Sequence, residues 1–272
     1  MTDARTVFIT GAASGIGLQL ARRFQAAGWH VAASDLSKQA LDKAFPESGE
    51  ALLLLTLDVR DAIAFGDAIQ QTVAAWGSLD VLINNAGIIR PARIIDSTAE
   101  EAHNHIDVNL KGVIFGTQAA ARCMRDQSQG GHIINIASMA GVAPVTGIGL
   151  YTASKFGVRA FSLVAAEELQ EAGIAVTVIC PDLVDTPMLD LQLDHPEAAI
   201  TFSGPGALAT DRIADAVFTA LRCKPLEMLL PRHRGWLAKL ASAFPGLVSP
   251  LRKQMERRGA HAAARYRDAR RM

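Results

Sequence analysis

A glycine-rich turn near the amino terminus constrains the fold of this chain more than any other feature. The apolar run 7–10 is followed by Gly11, Gly15 and Gly17, and an amphipathic segment then continues to Ala27. Glycines in such a turn let the backbone approach a pyrophosphate, and the unpaired N–H groups of the following helix favour its negative charge. The order of strand, turn and helix predicts a dinucleotide-binding unit, although the glycine spacing differs from the commoner Gly-x-Gly-x-x-Gly.

Apolar runs alternate with segments of helical period along the rest of the chain. This alternation predicts a parallel sheet covered by helices on both faces, and 272 residues, half of them hydrophobic, can bury a full core. We therefore predict a single-domain α/β fold with a Rossmann-type, doubly wound parallel sheet of about seven strands. The further strands are expected at 30–34, 52–57, 81–83, 133–137, 176–180 and 227–230, and long helices at 97–125 and 152–172.

An acidic residue ends the second predicted strand. Asp35 lies eighteen residues after Gly17, a position suited to accept hydrogen bonds from the adenosine ribose hydroxyls. An acid here could also cap a helix or stabilise the turn before Leu36. The two interpretations can coexist.

Three side chains downstream have the chemistry of proton transfer. Ser138 is separated by twelve residues from Tyr151, and Lys155 follows Tyr151 by four residues, so that the last two share one helix face. An ammonium beside a phenol favours the phenolate, which predicts a pKa of Tyr151 lowered from about 10. Tyr151 is then a candidate general acid/base and Ser138 a hydroxyl partner for the same substrate oxygen. The pair alone would also fit an exposed tyrosine beside a solvated lysine.

Together these motifs resemble those of the short-chain dehydrogenase/reductase family over residues 5–231. The resemblance implies that Asp58 contacts the adenine, that the segment 84–87 supports the sheet and the cofactor, and that Asn109 helps to hold a proton-relay water. Its catalytic residues here would be Asn109, Ser138, Tyr151 and Lys155. Its cofactor-binding residues would be Gly11, Ser14, Gly15, Ile16, Gly17, Asp35, Asp58, Val59, Asn85, Ala86, Gly87, Tyr151, Lys155, Pro181, Val184 and Thr186.

The resemblance also implies an activity. We expect an NAD(H)-dependent oxidoreductase that interconverts a hydrophobic secondary alcohol and its ketone, with a small-molecule substrate and assembly into a homodimer or homotetramer. An NADPH-dependent 3-oxoacyl thioester reductase and a non-catalytic, cofactor-bound regulator are the alternatives. NAD is preferred to NADP because the Asp35 carboxylate would repel a 2′-phosphate, and because Ser14 and Leu36 stand where NADP-dependent members usually have a basic residue. Lys38 keeps NADP as the second choice.

One position departs from the family pattern. Asp182 follows Pro181 where the family usually has glycine, and it places a carboxylate near the nicotinamide end of the site. The segment 182–209 is expected to form a flexible lid. Its apolar side chains suit a hydrophobic substrate, or they could pack on the body of the protein.

The carboxyl-terminal tail, residues 232–272, is strongly basic. It holds 11 of the 27 Lys and Arg residues of the chain, but only Glu256 and Asp268 among the acidic ones. Apolar residues recur among these basic ones at roughly helical spacing, a pattern typical of a segment that lies on an anionic membrane surface. The alternative is a tail packed on the acidic body, residues 1–231, or on a neighbouring subunit.

Other functions receive no support from the composition. The three cysteines have neither metal nor disulfide spacing, and His103 and His105 would not face each other on a helix, so we expect no metal site. A near-neutral pI of about 7.1 and the lack of a reading module argue against nucleic-acid binding. With no basic and apolar leader and no apolar run of spanning length, we expect a cytoplasmic protein.

Overall fold

The predicted parallel sheet is confirmed. The computed structural model describes residues 4–47, 49–127 and 129–271, and its strands form one seven-stranded sheet in the order β3-β2-β1-β4-β5-β6-β7. Every pairing is parallel. The strands are β1 (Thr6–Thr10), β2 (His30–Asp35), β3 (Leu52–Thr56), β4 (Val81–Asn84), β5 (Gly131–Ile136), β6 (Ile174–Pro181) and β7 (Glu227–Leu230).

Helices cover both faces of the sheet. Val7 and Ile9 of β1 pack with the first and eighth helices, whereas Phe8 points to the opposite face and stacks on Phe65 of the third helix. This alternation explains why β1 is apolar throughout. The helices are α1 (Gly15–Ala26), α2 (Lys38–Ala44), α3 (Ala62–Trp76), α4 (Ala99–Ile106), α5 (Gly112–Asp126), α6 (Gly149–Glu168), α7 (Pro187–Leu193), α8 (Thr210–Cys223), α9 (Arg232–Ala243), α10 (Pro245–Val248) and α11 (Arg252–Arg271).

The two long predicted helices differ from their predicted form. The predicted helix over 97–125 corresponds to α4 and α5, which follow each other without a break except that a π-helical segment, Asp107–Lys111, lies between them. A capping box between Thr98 and Glu101 begins α4. The second predicted helix begins earlier, at Gly149, and a 3-10 turn, Gln170–Ala172, replaces its last residues. Asn109 therefore lies in the π segment, which is a common place for functional residues.

The sheet order reverses between β1 and β4. Chain connections from these two neighbouring strands leave in opposite directions, and this leaves a crevice beyond their carboxyl ends. The glycine turn follows β1, and Asn85 follows β4. The fold thus places the two segments side by side at the position where doubly wound sheets bind ligands.

The tail folds back onto the body of the protein. Helix α11 packs along the 3-10 segment Pro196–Ser203, where an added Cβ on Gly259 would lie 1.8 Å from the carbonyl oxygen of Ala199. Arg270 forms ion pairs with Asp185 and Asp190 beside this contact. The structure therefore supports the alternative in which the basic tail packs on the acidic body.

Candidate functional site

The glycine turn forms a cradle that no larger residue would fit. Gly11 and Gly15 have positive φ angles of 65° and 53°. A Cβ on Gly17 would lie 2.1 Å from the carbonyl oxygen of Gly11, and a Cβ on Gly11 would lie 2.9 Å from the Cα of Ala86. Close backbone approach and an exposed helix start are the features that a pyrophosphate requires.

The segment after β4 holds this cradle in place. The hydroxyl oxygen of Thr10 accepts hydrogen bonds from the backbone N–H groups of Asn85 and Ala86, both at 3.0 Å. The Asn85 amide in turn donates to the carbonyl oxygens of Thr10 and Gly11, at 3.0 and 3.1 Å. Asn85 therefore fixes the turn through side-chain bonds to its backbone, which agrees with the supporting role that the family resemblance implies.

Asp35 ends β2 beside the glycine turn. Its carboxylate accepts a 3.1 Å hydrogen bond from the backbone N–H of Ala13 and a 3.4 Å bond from that of Ser37. Ser37, not Asp35, caps α2 by accepting from the N–H of Ala40. Asp35 is thus a turn acid that also lines the cavity, and its role toward ribose hydroxyls stays a prediction.

Asp58 lines the cavity and is paired with Arg60, a residue outside the motifs that predicted the site. Arg60 forms a two-pronged bond with the Asp58 carboxylate, with donor–acceptor distances of 2.9 and 2.7 Å. The Arg60 guanidinium holds the pKa of Asp58 below its usual value. Asp58 is therefore charged at neutral pH and can accept a hydrogen bond from an amino group.

Asn109 is buried and uses its side chain for structural bonds. Its Oδ1 accepts from the backbone N–H of Ile88 at 2.7 Å, and its Nδ2 donates to the Ile88 carbonyl and to the Ser154 hydroxyl at 2.9 and 3.0 Å. A Cβ on Gly87 would lie 3.2 Å from the Oδ1 of Asn109 and 3.5 Å from the Nζ of Lys155. Asn109 thus braces the wall of the site next to Lys155, and its role toward a relay water stays a prediction.

Ser138, Tyr151 and Lys155 meet at the other end of the cavity. Ser138 follows β5 and caps a short 3-10 turn, while Tyr151 and Lys155 lie on α6 with 8% and 3% of their surface exposed. The Lys155 ammonium donates to the carbonyl oxygen of Ile136 at 2.9 Å and lies 5.7 Å from the centre of the Tyr151 ring. A hydrogen bond joins Ser138 and Tyr151, so the two hydroxyls can approach the same polar atom of a ligand, with Lys155 beside them.

The predicted pKa of Tyr151 is wrong in direction. Burial raises the pKa of Tyr151 to about 12, although a hydrogen bond with Ser138 lowers it. Burial also lowers the pKa of Lys155 to about 8. Desolvation outweighs the attraction that the sequence suggested, because both groups are shielded from water and the ammonium is bonded to a backbone carbonyl. At neutral pH the phenol is protonated.

One cavity of about 1180 Å³ joins these parts. Gly17 and Asn109 support the walls from behind. All other predicted site residues line the cavity: Gly11, Ser14, Gly15, Ile16, Asp35, Asp58, Val59, Asn85, Ala86, Gly87, Ser138, Tyr151, Lys155, Pro181, Val184 and Thr186.

The lid segment closes one side of the cavity. It contains α7 and the 3-10 segment Pro196–Ser203, and a Cβ on Gly15 would lie 3.1 Å from the Thr186 methyl group, so the lid reaches the glycine turn. Met188 and Ile200 line the cavity, whereas Phe202 packs against the tail. The segment 182–209 therefore lines the cavity with some of its apolar side chains and packs another on α11, and its fit to a hydrophobic substrate stays a prediction.

Asp182 does not need the glycine conformation. It has no positive φ, and its N–H donates to the Leu230 carbonyl oxygen at 2.8 Å, which continues the pairing of β6 with β7. Its carboxylate lines the cavity, as the sequence suggested, but it forms a 2.6 Å ion pair with Arg234 of α9. Burial raises the pKa of Asp182, and the Arg234 guanidinium lowers it in part.

The sequence analysis missed the contribution of the tail to this site. Its apolar stripe at helical spacing was the available signal, but nothing in the sequence says which element that stripe covers. The tail residues that line the cavity are Arg234, Leu237, Ala238, Ala241, Pro245, Leu251, Arg252 and Met255.

The described residues hold neither a metal-binding cluster nor a membrane-spanning helix. Among residues 4–47, 49–127 and 129–271, His, Cys, Asp and Glu side chains form no group of three or more that could hold a metal ion. None of the helices in this described part of the chain is long and apolar enough to cross a membrane.

Known proteins are similar to this chain in sequence. The family model for short chain dehydrogenases matches residues 5–196. A diacetyl reductase, (S)-acetoin forming, of Staphylococcus epidermidis is 35% identical over 190 residues, which are 69% of this chain and 74% of that protein. An NADP-dependent 3-hydroxy acid dehydrogenase, YdfG, of Salmonella typhi is 36% identical over 218 residues, which are 78% of this chain and 87% of that protein.

A solved structure shares the fold. The short chain dehydrogenase of Mycobacterium paratuberculosis, bound to NAD, superposes with a TM-score of 0.74 at 27% identity. The match covers 83% of this chain and 95% of the other.

Proposed function

The chain belongs to the short-chain dehydrogenase/reductase family of NAD(P)-dependent oxidoreductases, and we propose that it interconverts a hydrophobic secondary alcohol and its ketone with NAD(H). One observation carries the proposal. A single cavity has a glycine cradle and Asp35 at one end and Ser138, Tyr151 and Lys155 at the other. A dinucleotide bound along this cavity would have its reactive ring beside the proton-transfer groups.

The residues of the cradle fit a dinucleotide. Gly11 and Gly17 leave backbone space that a Cβ would fill, and Asp35 and Asp58 offer acceptors for ribose hydroxyls and an adenine amino group. When bound, the nicotinamide supplies or accepts the hydride. Lys155 and Thr186 line the opposite end and would hold the nicotinamide part.

NAD(H) is the better fit of the two cofactors. The Asp35 carboxylate would repel a 2′-phosphate, and the Lys38 ammonium is already paired with Asp42 at 2.9 Å. One relative is named NADP-dependent, so the preference needs a direct measurement. In matched titrations we expect NADH to bind at least about tenfold more tightly than NADPH, and Asp35→Ser to narrow the gap. Tighter binding of NADPH by the wild type would reverse the assignment and favour the thioester reductase.

The protein groups handle the proton. In reduction, the Tyr151 phenol donates its proton to the carbonyl oxygen of the ketone while the carbonyl carbon gains a hydride. The Ser138 hydroxyl donates a hydrogen bond to the same oxygen and stabilises its developing charge. Tyr151 regains a proton through Lys155, whose pKa of about 8 allows exchange near neutral pH. Because the pKa of Tyr151 is about 12, the protonated form needed for reduction prevails at neutral pH.

The reaction class is tested by the loss of NADH absorbance with a panel of aliphatic and aryl-alkyl ketones. We expect turnover by the wild type and a loss of about 10²–10³ in kcat for Ser138→Ala. NADH affinity should stay unchanged in this variant, since Ser138 acts on the substrate oxygen. Tight NADH binding without turnover of any ketone or secondary alcohol would favour a non-catalytic regulator.

We also propose that α9 and the segment after it touch an anionic lipid surface. Trp236, Leu240 and Phe244 are each 58% exposed or more, and the surrounding tail is rich in Lys and Arg, a combination that suits anionic headgroups. The wild type should sediment with vesicles that contain phosphatidylserine, and the double variant Trp236→Gln, Phe244→Gln should not. Equal sedimentation of both would reject the contact, as would a wild type that self-associates through this patch and ignores vesicles.

Assembly and location stay predictions. The family resemblance predicts a homodimer or homotetramer through the two long helices, and light scattering of the purified protein measures the mass directly. The cytoplasmic location is tested by fractionation of the native cells.

A further inference from the structure

The cavity extends beyond Tyr151 into a space that the tail encloses. On the far side it is lined by Met188 and Ile200 of the lid and by Ala238, Ala241 and Met255 of the tail. The match to the family model ends at residue 196. In this distal wall, Ile200 and the three tail residues therefore lie outside the matched region, whereas Met188 lies within it.

Salt bridges hold α9 against the carboxyl end of β6 and against β7. Arg234 pairs with Asp182 at 2.6 Å, near the amino end of the helix, and Lys239 pairs with Glu227 of β7 in its middle. Glu227 also binds Arg159 of α6 at 2.5 Å. The helix is therefore fixed to the sheet from two sides, and its cavity-facing residues have defined positions.

Separate contacts hold α11. Ala207 donates its backbone N–H to the Tyr266 hydroxyl oxygen at 2.7 Å. Leu189 and Phe202 of the lid pack with Ala263 in one buried cluster. The lid and α11 thus form one packed unit above the cavity.

The distal wall is apolar, and part of it is small. Ala238 and Ala241 present only methyl groups to the cavity, and Met255 is flexible and adaptable. Two charged side chains of the tail also line the cavity, Arg234 and Arg252. They pair with Asp182 and Glu256, so neither calls for an anionic group on the substrate. An apolar extension of the substrate would bind favourably against the distal wall, because its surface would be removed from water.

We propose that the tail forms the far wall of the substrate site, and that the substrate carries an extended apolar chain running from the reacting carbon toward Ala241. This inference rests on the proposed function and narrows its substrate class. Ala241 is a specificity-determining residue in this account, because its small size sets the length of chain that the cavity accepts.

The test uses methyl ketones from butanone to dodecanone with NADH. For the wild type, kcat/KM should rise about threefold with each methylene until the cavity is full. Ala241→Phe should lower kcat/KM for dodecanone more than tenfold and leave butanone within about twofold. The matched control is Ala243→Phe, on the same helix but exposed, and it should change neither.

The outcomes separate the inference from the proposed function. Two results would overturn the inference and leave the proposed function intact. One is a wild type that shows no preference for longer ketones. The other is an Ala241→Phe variant that slows all ketones equally while its melting temperature is unchanged. If no ketone is reduced, the proposed function fails, but the distal wall can still be tested by calorimetric binding of dodecanone and butanone to the NADH-loaded protein. Tighter binding of dodecanone that only Ala241→Phe weakens supports the distal wall, and equal binding of the two ketones rejects it.

Discussion

The buried charge of Lys155 should lower the free energy of unfolding of the protein. Its ammonium is buried with one hydrogen bond, to the carbonyl oxygen of Ile136, and burial lowers its pKa from 10.5 to about 8. Each unit of pKa difference between folded and unfolded states corresponds to about 1.4 kcal/mol, so the charged form costs roughly 3 kcal/mol at pH 7. Lys155→Met removes this cost and keeps an unbranched apolar side chain of similar length.

The stability gained by Lys155→Met should be smaller than the full cost of burying the Lys155 charge. The variant leaves the Ile136 carbonyl without its partner, a loss of about 1 kcal/mol. We therefore expect Lys155→Met to be more stable than the wild type by roughly 2 kcal/mol at pH 7, or about 4–8 °C in Tm. Hydride transfer should be nearly abolished in the same variant.

The pH dependence identifies the cause. Since the folded state has the lower pKa, the penalty is fully present below pH 8 and disappears as the pH rises toward 10.5. Unfolding in guanidinium chloride at pH 7 and pH 10, followed by tryptophan fluorescence, should thus show the gain at pH 7 and almost none at pH 10. Lys43→Met, at an exposed position, should change stability by less than about 0.5 kcal/mol. A Lys155→Met variant less stable than the wild type at pH 7, or a gain in stability independent of pH, would show that the buried charge of Lys155 is not destabilising.

Three further predictions concern the cradle, the acid/base and the cysteines. Gly17→Ala would place a Cβ 2.1 Å from a backbone oxygen, so NADH affinity, measured by calorimetry, should fall at least about tenfold. The control Gly66→Ala lies in α3, where a Cβ meets no neighbour, and thermal unfolding should show a gain in stability of about 0.5–1 kcal/mol. Because the pKa of Tyr151 is about 12, the rate of alcohol oxidation should rise up to tenfold per pH unit from pH 8 to 10, and a flat profile would count against Tyr151 as the base. Iodoacetamide at pH 8 should label the exposed Cys223 and leave Cys180 unmodified, since burial raises the pKa of Cys180 to about 12. Fast labelling of Cys180, detected by mass spectrometry, would contradict this prediction.

Local patterns made most of the fold predictable. The predicted strand 227–230 coincides with β7 (Glu227–Leu230), because a short apolar run between turn residues has few other places in a parallel sheet. The glycine turn was equally informative, since its spacing follows from backbone contacts that only glycine permits. The π segment around Asn109 was not predictable, because nothing in its residues distinguishes a π turn from the α-helix predicted there.

The parts that were not predictable depend on distant residues. The pKa of Tyr151 is set by burial that comes from the whole fold, and so the sequence spacing to Lys155 gave the wrong direction. The pairing of Asp182 with Arg234 joins residues from two separate elements. The basic charge of the tail was visible in the sequence, but the acidic partners that hold it are scattered along the body.

The central claim is that Tyr151 transfers the proton in a cavity built for NAD(H). Its most direct test is Tyr151→Phe, which removes one oxygen and keeps the ring that packs beside Ile89 and Ile148. The account predicts that kcat/KM for ketone reduction falls about 10²–10⁴-fold, while the Kd of NADH stays within about threefold of the wild type. A Tyr151→Phe variant that retains wild-type turnover of the same ketone would contradict it.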